Sequence, residues 1–502
     1  MGKIRFASKI RPHPSASVMT QAETPTSSRW TSRLILLNVC IGQAIVGIDQ
    51  RALLVALPTL TESFHTRLTT IQWTILIYDL VLIGLVITVG RLGDLFGRRR
   101  FYSLGLLVFV IGSALCGVAQ SPAQLIFFRA LQAIGGSMIS ANGRAIASES
   151  VPREERGKAL GLTSVAFHVG FITGPSLGGF LVDTLGWRWI FYINVPIGLW
   201  GAYLAWKIMA ETRKEEGKVS VDFLGALLLL VTNSLFIYAI DQLPRLGWHH
   251  PTFLLTISFS GLALVLLIVT ELRSATPILL LNLFRNRLFS ASILSLFFVA
   301  LSQSAINFLI PFYLQNIMGY SPAQVGWLII ADSVIIMITA PIAGSLSDRV
   351  GSRLLCTVGC SVIVAGQFLV ASLGLHSSVM SIIFPLALWG LGWGLFNTPN
   401  QSAILGSVSM DKIGAASGTT ATTARTGGAL GVAFASTLFT YMLNSAGLSQ
   451  TQIESPESWS TTPEPFVTSF SHTIHIINFF TLLAVFCAAV KGSREYIHEP
   501  KH

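Results

Sequence analysis

Long apolar runs alternate with short polar segments along almost the whole chain. About twenty apolar residues in a helix match a hydrocarbon core about 30 Å thick, where unpaired backbone groups would find no water. Fourteen such runs are read, at about 34–57, 71–90, 101–119, 123–147, 158–182, 189–209, 222–242, 252–272, 289–314, 324–346, 354–374, 379–405, 413–440 and 469–490. They predict an all-α integral membrane protein, and the even number of spans returns both termini to one side.

The loops give the orientation. With the termini in the cytoplasm, Arg98, Arg99, Arg100, Arg153, Arg156, Lys158, Arg213, Lys214, Lys218, Arg273, Arg285, Arg287, Arg349, Arg353 and Lys412 fall inside, and only Arg67, Arg188 and Arg245 outside. That asymmetry obeys the positive-inside rule. The expected location is the plasma or inner membrane, with cytoplasmic tails at 1–33 and 491–502. No small-residue cleavage site follows the first run, so it reads as a retained span, and Met19 stands beside Met1 as a possible start.

Composition agrees: 52% of the 502 residues are hydrophobic and 11% charged, against about a quarter charged in soluble domains. The net charge of +10 would suit nucleic acid only if clustered, and the basic residues are spread through loops. Cys40, Cys116, Cys356, Cys360 and Cys487 are too dispersed for a disulfide framework or a zinc site and read as packing residues. With no P-loop, metal-ligand cluster or nucleophile elbow, neither catalysis nor a cofactor is expected. A membrane-embedded sensor or enzyme is the weaker alternative.

The chain repeats itself. Trp73, Gly90, Leu92, Asp94, Gly97 and Arg99 recur 254 residues later as Trp327, Gly344, Leu346, Asp348, Gly351 and Arg353. Gly157, Ala159, Gly161, Gly170 and Gly174 recur 257 residues later as Gly414, Ala416, Gly418, Gly427 and Gly431. Two pseudo-symmetric six-helix halves follow, at 34–209 and 289–490. Two inserted helices at 222–272 lie between them, joined by loops at 210–221 and 273–288. Transporters place their binding sites between such halves.

The loop GRLGDLFGRRR, Gly90 to Arg100, combines turn-forming glycines with Asp94 and with Arg98, Arg99 and Arg100, which can pair with it or with lipid headgroups. A degenerate copy, GSLSDRVGSR, runs from Gly344 to Arg353 and carries Asp348. Here the chain resembles the major facilitator superfamily, whose signature loop these residues match. FFRALQAIGG, with Arg129, Gln132, Gly135 and Gly136, is similar to its fourth span. GFITGPSLGG, from Gly170 through Gly174, Pro175 and Gly178 to Gly179, looks like the motif of its antiporters. WRWIFYINVPIG and ARTGGALGVA are similar to the fourteen-span drug/proton antiporter family in particular. On residue spacing alone, Ala166, Gly170, Gly174 and Gly178 share one helix face and form a seam for close packing. Pro175 adds a kink that Val432, its repeat partner, lacks.

Charges inside a bilayer cost several kcal/mol, so each is a functional candidate. Asp49 leads, because the resemblance implies an acidic residue there for proton or cation recognition. Arg51 departs from the family, which favours Thr, and is expected to change how Asp49 titrates. Arg129 is expected to be a coupling residue that pairs with a carboxylate. Asp79 and Asp332 are further protonation sites or carboxylates for cationic substrates. Arg425 aligns with His168, and both are cavity candidates beside Trp389 and Trp393, for which packing is the simpler reading. Arg144, Glu149 and Asp241 are read as snorkelling at span ends. The resemblance implies proton-coupled export of lipophilic, cationic small molecules by alternating access, by a monomer whose partners are protons, substrate and lipid. The loop at Asp94 and Arg98 would latch one side. A dedicated exporter of one metabolite is the alternative.

Overall fold

A computed structural model of the chain describes residues 29–152, 155–211, 223–247, 249–273, 281–408, 413–449, 452–453, 459 and 461–492. Fourteen long helices are found among them. The first half contains α1 (Arg29–Ser63), α2 (Trp73–Phe96), α3 (Arg98–Val118), α4 (Pro122–Glu149), α5 (Arg156–Leu185) and α6 (Asn194–Ile208). Then come α7 (Phe223–Leu246) and α8 (Pro251–Arg273). The second half contains α9 (Arg287–Phe312), α10 (Pro322–Val350), α11 (Ser352–Ala371), α12 (Val379–Gly406), α13 (Ile413–Ser445) and α14 (Pro463–Val490). Among the described residues, twelve segments are long and apolar enough to cross a membrane. The two helices outside that set are α4, interrupted by Arg129 and Arg144, and α6, which is 15 residues long.

The sequence repeat is also a packing repeat. Helix α1 lies on α5 as α9 lies on α13, α3 on α4 as α11 on α12, α2 on α4 as α10 on α12, and α3 on α6 as α11 on α14. The inserted α7 and α8 pack on each other, and α7 touches α2 and α13. Gln72 Nε2 donates to Asp241 Oδ1 at 2.7 Å, and Thr437 Oγ1 donates to the Ile240 carbonyl at 3.2 Å. Asp241 is therefore buried and bonded to the first half, not snorkelling as its place near a span end suggested.

Local sequence explains the ends. Ser121 and Ser321 each precede a proline at the first helical position and accept from the backbone N–H of Gln124 and Gln324, which starts α4 and α10. Gly97 and Gly351 lie between α2 and α3 and between α10 and α11 with φ of 110° and 81°. An L side chain rarely adopts such angles, which accounts for a repeated glycine at both turns. Lys491, expected to open a polar tail, is instead buried, with Nζ 3.0 Å from Cys356 Sγ and 3.4 Å from Asn400 Oδ1. The five cysteines are free thiols.

The glycines of the Gly170–Gly179 motif face two neighbours. A Cβ on Gly170 would strike the Ala44 carbonyl, one on Gly174 would lie 2.8 Å from Arg51 Cβ, and one on Gly178 would lie 2.7 Å from Ala52 Cα. In the second half, Gly427 and Gly431 meet the carbonyls of Phe297 and Leu301 in the same way. Gly179, however, faces Pro322 of the other half, and Gly326 faces the Pro175 carbonyl. Hydrogen bonds join the halves at this end: Ser176 Oγ to the Gly326 carbonyl (3.2 Å), Ser321 Oγ to Asp183 Oδ2 (3.1 Å), and Gln315 Nε2 to the Val55 carbonyl (2.8 Å).

Candidate functional site

Asp49 lies inside the first half, fully buried. Arg129, on α4, donates from Nη1 to Asp49 Oδ2 at 2.6 Å, and Gln132 and Asn194 donate to Oδ1 at 2.8 and 3.2 Å. Arg129 and Gln132 are three residues apart and so share a helix face. Arg129 also donates from Nε to the Thr74 carbonyl at 3.1 Å, and its guanidinium sits 4.4 Å from the centre of the Tyr78 ring. Ser113 accepts from both Gln132 and Asn194 at 3.1 Å and donates to the Phe191 carbonyl at 2.9 Å. Five helices thus close round one carboxylate, and the charge is balanced and hydrogen-bonded, as a buried ion pair requires.

Arg51 does not join this cluster. Two residues along a helix turn a side chain by about 200°, so Arg51 points away from Asp49. Its Nη2 lies 4.0 Å from Asp332 Oδ2, across the interface between the halves, and its guanidinium covers the Phe171 ring at 4.1 Å. A second cross-half pair joins Arg425 Nη1 to Asp79 Oδ1 at 3.2 Å. The expectation that Arg51 acts on Asp49 is thereby corrected: the cation against Asp49 is Arg129.

Between the halves is a cavity of about 120 Å³. Gln50, Arg51, Tyr78, Asp79, Arg129 and Phe171 line it from the first half, and Gln303, Ser304, Asn307 and Val432 from the second. Asp49 sits behind Arg129, so the cavity meets the buried carboxylate through that arginine. His168 is exposed, its Nδ1 2.7 Å from the Ser164 carbonyl, and lies outside the lining. Trp389 and Trp393 pack in a second-half cluster with Cys360 and Phe396, which leaves them to the packing reading.

At the loop bearing Arg98, Arg98 pairs with Glu149 of α4. Arg99 and Arg100 approach Glu211 Oε2 at 3.7 and 3.3 Å, and Arg99 donates to the Met209 carbonyl at 3.0 Å. Glu149, read as snorkelling, is thus an ion-pair partner. Arg144 is exposed, its Nε bonded to the Ser140 carbonyl at 3.2 Å. The side chains of Asp94 and Asp348 lie outside the described residues. A Cβ on Gly90 would lie 3.4 Å from Ala141 Cβ, and Arg353 opens the first turn of α11.

The sequence reading did not single out Ser113, Asn194, Gln50, Tyr78, Gln303 or Asn307. Each is a polar group within an apolar run, but such residues are common where helices pack, and only the fold shows which ones converge.

The pattern of the Major Facilitator Superfamily matches residues 39–432. The chain belongs to that superfamily. It is similar to the riboflavin transporter RibZ of Clostridioides difficile (strain 630), with 33% identity over 411 residues, 82% of this chain and 89% of that protein. It is also similar to the multidrug resistance protein Stp of Mycobacterium tuberculosis (strain CDC 1551 / Oshkosh), with 31% identity over 77% of this chain and 72% of that one. In fold it matches a bacterial homologue of the human lysosomal transporter Spinster, solved inward-facing and occupied, with TM-score 0.69, 16% identity and coverage of 93% and 97%. This superfamily member is a multi-pass membrane transporter of small molecules rather than an enzyme.

Proposed function

We propose that this transporter exports an amphipathic small molecule in exchange for protons, by alternating access, in the manner of the fourteen-span drug/proton antiporters. The observation that carries the proposal is the fully buried Asp49–Arg129 pair at the wall of the cavity. Protonating Asp49 would leave Arg129 with a buried, uncompensated charge, and the cavity is where Arg129 can find another acceptor. A proton and a ligand are then linked through one side chain.

In this reading the end joined through Gly179, Pro322 and Gln315 is the outer gate, which is closed here, and the loop bearing Arg98 faces the cytoplasm with both termini. Asp94, Gly97, Arg98, Arg99, Asp348 and Arg353 form the latch of the opposite state. A transporter dedicated to one metabolite is the second reading. It is favoured by the relative named for riboflavin.

Wild-type protein in proteoliposomes, with a pH dye sealed inside, tests the exchange. Riboflavin or tetraphenylphosphonium, added under an imposed pH gradient, is expected to move protons in the opposite direction to its own flux. Flux of either compound without proton movement would overturn proton exchange. Movement of riboflavin alone would select the second reading.

A further inference from the structure

We propose that Arg51 reads the substrate, and that the substrate carries a carboxylate. The proposal rests on the transport reading above and assigns the ligand class of the same cavity. Each charged group of the lining other than Arg51 already has a hydrogen-bonded counter-charge: Arg129 has Asp49, and Asp79 has Arg425. Arg51 has charge balance without hydrogen bonding. Its nearest carboxylate oxygen, Asp332 Oδ2, is 4.0 Å away, beyond hydrogen-bond reach. That oxygen itself has no hydrogen-bond partner, while Ser333 Oγ donates to Oδ1 at 2.7 Å.

Arg51 is 3% exposed, lines the cavity, and makes no hydrogen bond among the described residues. Among the described residues Arg51 is therefore the charged group of the lining whose hydrogen-bonding capacity stays open, which suits an anionic ligand. Phe171 holds the guanidinium plane at 4.1 Å, so its fork can meet two oxygens of one carboxylate at once. Space for the side chain depends on Gly174, since a Cβ there would lie 2.8 Å from Arg51 Cβ. The antiporter-like motif thus also makes room for the ligand-reading arginine. A substrate carboxylate supplies the hydrogen bonds that Asp332 does not, and it competes with Asp332 for Arg51.

The test is binding of dansylglycine and of dansylglycinamide, which lacks the acid, to the full chain in lipid nanodiscs, followed by dansyl fluorescence. Wild-type protein should bind the acid about tenfold more tightly than the amide, the scale of one charge-assisted bidentate contact. Arg51→Gln should erase that preference, Arg51→Lys should keep part of it, and Asp332→Asn should strengthen acid binding severalfold. Equal affinity for acid and amide, no binding of the acid, or an Arg51→Gln variant that weakens both equally would each overturn the assignment. The wild-type comparison alone decides if a variant misfolds. Acid-selective binding without proton movement would remove proton exchange and keep this site. Proton exchange by a compound in a protein with no preference for the acid would do the reverse.

Discussion

Arg129 and Arg51 both line the cavity from the first half, yet they are held in opposite ways. Arg129 is locked to Asp49 at 2.6 Å inside a network drawn entirely from its own half. Arg51 is balanced at 4.0 Å by a residue of the other half and steadied by an aromatic face. The first arrangement moves as a rigid body with its half. The second, like Asp79–Arg425, spans the interface that must change when the halves rock. In the proposed cycle one region holds its charge throughout and the other exchanges partners.

Breaking the locked pair has the largest expected effect. Arg129→Gln leaves a buried carboxylate without its cation, a loss of about 3–5 kcal/mol when one partner of such a pair is removed. Transport should fall at least about a hundredfold, and thermal unfolding in detergent should show the lost stability. Next comes the seam that holds Arg51 in place. Gly174→Leu forces a side chain against Arg51 Cβ, costs about 1–3 kcal/mol by overpacking, and should abolish exchange measured by tracer counterflow. A smaller effect is expected at the partly buried cross-half pair. Asp79→Asn should change stability by less than about 1 kcal/mol and change the transport rate severalfold, because it alters the balance between states rather than the fold. Least of all, His168→Ala should leave transport within about twofold, since His168 lies outside the cavity lining; a larger loss would place the cavity wall further along α5.

Most of the architecture was legible because lipid imposes strong rules. Span length, loop charge and the matched Trp73/Trp327 and Gly97/Gly351 pairs predicted two halves and an insertion, and the helices pack as that repeat requires. Asp49 and Arg129 stood out because an ionised side chain in an apolar run is costly. Which charge meets which was not legible. Arg51 is adjacent in sequence to Asp49 but faces the other half, and Arg129, 80 residues away, is the partner. Helix phase rules out the near pair, but only tertiary packing selects the distant one. Ser113 and Asn194 escaped notice for the same reason, since a polar residue in a membrane helix carries no sign of what it will meet. The Ser121–Gln124 and Ser321–Gln324 caps went unread, although S-P-A-Q recurs at the starts of α4 and α10.

The central claim is that the Asp49–Arg129 pair couples protons to substrate. The most direct measurement compares wild type and Asp49→Asn in proteoliposomes by two assays of the tracer that the wild type moves, riboflavin or tetraphenylphosphonium: uphill accumulation driven by a pH gradient, and counterflow without one. Asparagine keeps the shape of the site and loses the titrating group. The account predicts that uphill accumulation disappears while counterflow stays within about threefold of wild type. Accumulation that persists in Asp49→Asn would contradict it and move the coupling to Asp79 or Asp332.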